Sequence, residues 1–167
     1  MAQTKLGETI VNLNGNLPSV GTTAPTFTLT GIDLKDVALS DLAGKNVVLN
    51  IFPSVDTRVC AMSVREFNKR AASLPDTVVL NVSKDLPFAF RRFCAAEGID
   101  KVISLSDFRS PEFSKDYGAL MIDGGMAGLY ARCVVVIDKN GKITHTEIVP
   151  VIGQEPNYDA ALNALKQ

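Results

Sequence analysis

The stretch Asn46-Val47-Val48-Leu49-Asn50-Ile51-Phe52-Pro53-Ser54-Val55-Asp56-Thr57-Arg58-Val59-Cys60 passes from one structural period to another. Its first seven residues are almost continuously apolar, the pattern of a central strand covered on both faces. Pro53 stops it. From Arg58 to Ser73 the period becomes helical. Cys60, Val64, Phe67 and Ala71 fall on one face, while Arg65, Glu66, Lys69 and Arg70 take the other side.

Working outward, Thr77 to Val82 reads as a second buried strand. A second helix spans Pro87 to Glu97, with proline at its start and Gly98 past its end. Val102 to Leu105 is a short strand, and Pro111 to Tyr117 a short helix ended by Gly118. Leu129 to Asp138 and Lys142 to Val149 form two strands around the turn Lys139-Asn140-Gly141, and Tyr158 to Leu165 closes the chain as a helix. The first 40 residues read as β structure: Thr9 to Leu13 alternate, Asn14-Gly15 signals a hairpin turn, and Thr26 to Leu29 alternate before Gly31. Ser40 is placed to cap a helical turn through Asp41-Leu42-Ala43, closed by Gly44. A right-handed β-α-β-α-β crossover followed by an antiparallel hairpin and a helix is the layout of a thioredoxin-like fold. The expectation is therefore α/β: a mixed central sheet, flanking helices and an N-terminal β-hairpin extension, in a single domain over residues 1–167.

Composition narrows the function. Of 167 residues, 46% are hydrophobic and 21% charged, which supplies a sizeable core. Seventeen Lys and Arg against eighteen Asp and Glu leave no basic surplus for nucleic acid or an anionic membrane. No run approaches the ~18 apolar residues of a membrane span. No secretory signal is visible at the N-terminus, and three cysteines do not make a secreted disulfide scaffold, so a reducing, cytoplasmic setting is expected. The single histidine, His145, rules out a His-rich metal site and leaves a Cys-His hydrolase one possible base. C-x-x-C, P-loop and dinucleotide-binding motifs are missing, and no zinc spacing occurs.

The remaining chemistry runs through sulfur. Cys60 falls in the first turn of a helix, where the macrodipole and unpaired N–H groups favour thiolate over thiol. Arg58 adds a charge close by, Thr57 can cap the helix or hydrogen-bond sulfur or a substrate oxygen, and Pro53 shields the loop from water. Cys60 also lies on the apolar stripe of its helix, so both a packing residue and a reactive thiol are open. Cys94, 34 residues later, sits on an amphipathic helix where packing explains it well. Arg132, heading an apolar strand, is costly to bury unless paired: either it answers a carboxylate such as Asp56, or it serves a thiol and an oxygen-bearing substrate. Alternation then turns Cys133 away, as core. His145, on an alternating strand, reads as exposed.

Pro53-x-x-x-Thr57-x-x-Cys60 resembles the peroxiredoxin active-site signature, and PSVDTRVC over residues 53–60 resembles the form it takes in the atypical two-cysteine thiol peroxidases of bacteria. Asp85-Leu86-Pro87-Phe88-Ala89 with Arg92-Phe93-Cys94, and Ala131-Arg132 before a Val-rich strand, are similar to that family's resolving-cysteine helix and arginine strand. Phe108-Arg109, Tyr117-Gly118 and Glu155-Pro156-x-Tyr158 fit as well. The resemblance implies a thiol-dependent peroxidase acting on hydrogen peroxide and organic hydroperoxides. Cys60 would be the peroxidatic nucleophile, aided by Pro53, Thr57 and Arg132. Cys94 would resolve the sulfenic acid as a Cys60–Cys94 disulfide, which thioredoxin reduces. It further implies a homodimer and no cofactor or metal. Arg58 departs from the small residue or proline usual there, and Cys133 lies outside the redox pair. A thioredoxin-like binding protein with buried cysteines is the alternative from another class.

Overall fold

The computed structural model describes residues 2–71 and 74–165. Strands β1 (Gln3–Leu6) and β2 (Thr9–Asn12) pair antiparallel as a separate hairpin. There follow β3 (Thr28–Gly31), β4 (Asp36–Ala38), a 3-10 turn (Leu39–Leu42), β5 (Asn46–Ile51), α1 (Arg58–Ala71), β6 (Thr77–Ser83) and α2 (Pro87–Glu97). The chain continues through β7 (Ile103–Ser106), α3 (Pro111–Tyr117), β8 (Cys133–Ile137), β9 (Ile143–Ile148) and α4 (Tyr158–Ala164). The seven-stranded sheet runs β4-β3-β7-β6-β5-β8-β9. Its centre, β7-β6-β5, is parallel, and the outer pairings are antiparallel. This is the mixed thioredoxin-like sheet that the order of elements anticipates.

Alternation along β5 decides the layers. Val47, Leu49 and Ile51 pack with Leu80, Val82, Leu105 and the α3 rings of Phe113 and Tyr117. Val48 points the other way, toward Phe67 of α1 and Ala161 of α4, and Phe67 meets the Tyr158 ring edge-on at 5.1 Å. Each such fully buried side chain contributes roughly 1.5–3 kcal/mol. Phe52, Val55, Cys60, Val64 and Phe90 form a smaller cluster that joins the start of α1 to α2.

Several expectations shift. The hairpin turns at Gly7-Glu8, where Gly7 takes φ +63°, and not at Asn14-Gly15. Asn14 instead spends its side chain on distant backbone, donating to Ser114 O at 2.8 Å and accepting from Leu120 N at 3.1 Å. Ser40 is not a cap; the Asp41 carboxylate receives the Ala38 N–H. The strand expected from Leu129 begins only at Cys133, because Tyr130 and Ala131 pair with Leu120 and Ala119 outside the sheet. The expected end of the first helix at Ser73 lies outside the described residues. The turn at Lys139-Asn140-Gly141 does join β8 to β9, with the Asp138 carboxylate receiving the N–H of Asn140 and of Lys142, each at 2.9 Å.

Candidate active site

Where β5 ends, Phe52 keeps one further ladder bond, its N–H donating to Val82 O at 3.1 Å. The chain then leaves the sheet and enters α1. The loop between them is held by one carboxylate. Asp85 accepts from Ser54 Oγ at 2.7 Å, from the Val55 N–H at 2.9 Å and from the Ser83 hydroxyl. Thr57, at the helix start, gives both its N–H and its hydroxyl proton to Ser54 O, at 3.1 and 2.9 Å. Its hydroxyl proton is thus committed to the loop and not to sulfur.

Cys60 follows in the first turn of α1 and is fully buried. Arg132, 1% exposed, reaches it from the residue preceding β8. Its Nη1 donates to Cys60 Sγ at 3.2 Å and its Nε to Ile152 O at 2.9 Å. The hydrogen-bond partners of this buried guanidinium are a sulfur and a carbonyl, with no carboxylate among them, so its charge faces the Cys60 side chain. Asp56 is not its partner, since that side chain is exposed and pairs with Arg92 at 3.2 Å. Pro53, Thr57, Val59 and Arg132 line an open cavity of about 230 Å³, together with the apolar Leu6, Met126 and Ile152. Arg58 is exposed at its edge. Pro53, Thr57, Cys60 and Arg132 are therefore brought together.

Cys94 is not brought with them. It is half-buried on α2, its Sγ 3.6 Å from Ser104 Oγ, and it opens into a separate cavity of about 470 Å³ beside Ile99, Val102 and Ile103. Burial pushes its thiol above the usual range, and the Ser104 hydroxyl opposes that. All three cysteines are free. Two exposed ion pairs clasp α2 to the Cys60 side, Arg92–Asp56 and the two-bonded Arg65–Glu97 at 2.9 and 3.2 Å. Cys133 is fully buried, and burial pushes its thiol up to about 12. His145 is half-buried rather than exposed, because α4 packs over β9; its Nε2 is buried with no partner, and it does not line the cavity beside Arg132. That removes the base a Cys-His hydrolase requires.

The sequence reading missed Asp85 as an anchor, although Ser83-x-Asp85 after a strand is a recurrent side-chain-to-backbone turn. It also missed Asn50 and Asn81. Their signal was plain: Val-Val-Leu-Asn occurs twice, at residues 47–50 and 78–81, putting an amide in each of two apolar strands.

Residues 19–162 match the redoxin family. Over 165 residues, 99% of each chain, the sequence is 56% identical to the thiol peroxidase of Mycobacterium bovis, and equally to that of Mycobacterium tuberculosis. The structure is similar to a peroxiredoxin-like protein from Aquifex aeolicus, with a TM-score of 0.94 at 36% identity over 99% of this chain and 96% of that one. A thiol peroxidase from Chromobacterium violaceum shares the fold, with a TM-score of 0.91 at 21% identity and the same coverage of 99% and 96%.

Proposed function

The chain belongs to the redoxin family, among its thiol peroxidases, and from that premise we propose how its own residues reduce a hydroperoxide. The Cys60 thiolate attacks the terminal oxygen. An S–O bond forms, the O–O bond breaks, and the departing alkoxide or hydroxide takes up a proton as alcohol or water. Arg132 balances the thiolate beforehand and the charge on the breaking bond afterwards. Thr57, with its proton given to Ser54, presents a lone pair toward the cavity that accepts the peroxide O–H. Pro53 keeps bulk water off the sulfur. The observation that carries this reading is the buried Arg132 guanidinium 3.2 Å from Cys60 Sγ; a cysteine present only for packing calls for no such partner.

Cys94 then attacks the sulfenic sulfur, forming the Cys60–Cys94 disulfide and releasing water. A disulfide requires Cα atoms within ~7 Å, and these thiols sit on separate helices in separate surroundings. A helical turn at one or both cysteines therefore unwinds during turnover. The exposed Arg92–Asp56 and Arg65–Glu97 pairs resist this only weakly. Ring closure stabilises the oxidised chain by roughly 3–4 kcal/mol through unfolded-state entropy, and local unwinding offsets part of that, keeping the bond reducible. Thioredoxin as the reductant, a homodimeric assembly and a cytoplasmic location follow from the family reading. Among the described residues no helix is long and apolar enough to cross a membrane.

Peptide mapping tests the scheme. Reduced protein receives one equivalent of hydroperoxide, and the remaining thiols are then blocked. A dominant Cys60–Cys94 crosslink with Cys133 free is expected. Oxidised Cys60 without that crosslink would remove Cys94 as resolver. Three unmodified thiols would sink the peroxidatic role of Cys60.

A further inference from the structure

Beneath α1 and α2, a row of buried polar side chains crosses three adjacent strands of the sheet. Asn50 of β5 stands in register with Asn81 of β6, and Asn81 with Ser104 of β7. All three are buried, as is Ser63 of α1. The hydrogen bonds run continuously. The Ser63 hydroxyl donates to Cys60 O at 2.8 Å, and Asn50 Nδ2 donates to Ser63 Oγ at 3.3 Å and to Asn81 Oδ1 at 3.0 Å. Asn81 Nδ2 donates to Ser104 Oγ at 3.4 Å, and Ser104 Oγ in turn meets Cys94 Sγ at 3.6 Å, a contact in which either group can donate. One end of the row is thus the carbonyl of one reactive cysteine, and the other end is the sulfur of the second.

We propose that Ser63, Asn50, Asn81 and Ser104 are positioning residues that moor both cysteine-bearing helices to the sheet and set how readily they leave it to form the disulfide. The inference rests on the Cys60–Cys94 scheme above. Stability alone is a poor reason for such a row, since apolar residues of the same shape fill core positions at least as well, and the Asn50 Oδ1 oxygen is buried without a partner. Unwinding the first turn of α1 takes the Cys60 carbonyl off Ser63. Unwinding α2 takes Cys94 off Ser104. Because the links polarise one another, release at one end weakens the hold at the other. Peroxide attack needs the moored form, whereas disulfide formation needs the released one.

Ser63→Ala and Ser104→Ala cut the two ends with small residues that the helix and strand accommodate, and Ser104→Thr keeps the hydroxyl beside a cavity with room for its methyl. Rapid mixing of reduced protein with hydroperoxide separates Cys60 oxidation from disulfide formation, and iodoacetamide labelling of the reduced protein reports release of Cys94. Each alanine variant should accelerate disulfide formation by roughly 3- to 10-fold, the worth of one net hydrogen bond, with Cys60 oxidation within twofold. Ser104→Ala should raise Cys94 labelling by a similar factor, and Ser104→Thr should restore both rates. The double variant should fall short of the product of the singles, because the ends are coupled through the two asparagines. Unchanged or slower disulfide formation in both alanine variants, unchanged Cys94 labelling in Ser104→Ala, or strictly multiplicative effects would overturn the proposal. If the unsubstituted protein forms no Cys60–Cys94 bond, the scheme itself fails, and the labelling ratio still decides whether the row holds Cys94.

Discussion

Replacing Arg132 by Met removes the buried charge facing Cys60 while keeping an unbranched apolar side chain of similar reach. At the observed 3.2 Å and an effective dielectric constant of about 20, two unit charges attract by about 5 kcal/mol, which bounds what the charge can supply. A hydrogen bond to a charged group retains about 1.5–3 kcal/mol net. Loss of one preorganised donor facing developing charge typically lowers rates by about 10²–10³-fold, equivalent to about 3–4 kcal/mol and inside that bound. We therefore expect kcat/KM for hydroperoxide to fall about 10²- to 10³-fold in Arg132→Met. Arg132→Lys, which keeps the charge but not the fork that reaches both Ile152 O and Cys60 Sγ, should lose about tenfold. Stability should change far less: the orphaned Ile152 carbonyl costs about 1–3 kcal/mol, and relief from burying a cation offsets it. Stopped-flow peroxide consumption by reduced protein, with urea unfolding in parallel, separates the two effects. A Met variant within threefold of the unsubstituted rate would refute the assignment of Arg132 to the reaction. So would a loss explained entirely by unfolding.

Other outcomes follow from the same contacts. Asp85→Ala strands Ser54, the Val55 N–H and Ser83, and the looser loop should cost about tenfold in kcat/KM; Asp85→Asn, which keeps one acceptor oxygen, should recover part of it in the same assay. Cys133 is raised to about 12 from an ordinary 9.0 because burial penalises its thiolate. The unfolded chain therefore sheds that proton first, and stability falls as pH rises from about 9 toward 12. The contribution is about 1.4 kcal/mol at pH 10, and urea titrations at pH 7 and 10 should show a smaller alkaline loss in Cys133→Ala. Gly118 takes φ +63°, and an added Cβ would lie closer than 3 Å to the Asn16 backbone. Gly118→Ala should lose at least about 2 kcal/mol; a loss under about 0.5 kcal/mol by urea unfolding would contradict that packing.

What the sequence made legible was whatever local chemistry decides. The run from Asn46 to Phe52 and the helical stripe of Cys60, Val64 and Phe67 carry their own periods, and Lys139-Asn140-Gly141 carries its own turn. Arg132 could be singled out because a cation beside five buried β8 residues needs a partner, and strand alternation turned Cys133 away from it. Pairings between distant segments were not legible. The polar β1 becomes a strand only because β2 covers it, and the side chain of Asn14 is drawn off by Ser114 and Leu120, so a hairpin signal there misleads. The Asn50-Asn81-Ser104 row depends on strand register, which no single segment contains. The separation of Cys94 from Cys60 is likewise a matter of packing.

The N-terminal hairpin stands outside the main sheet, yet its contacts lead to the Arg132–Cys60 pair. Lys5 O receives the N–H of Ile152 at 2.9 Å, the Thr4 hydroxyl donates to Val149 O at 2.9 Å, and the Ile152 carbonyl in turn steadies Arg132. Leu6 adds part of the cavity wall. A chain trimmed of its first eight residues would keep every strand of the seven-stranded sheet and both Cys60 and Cys94. It would nonetheless lose the brace behind Arg132. Topologically the hairpin is an appendage; mechanically it is the footing on which the cavity wall beside Arg132 stands.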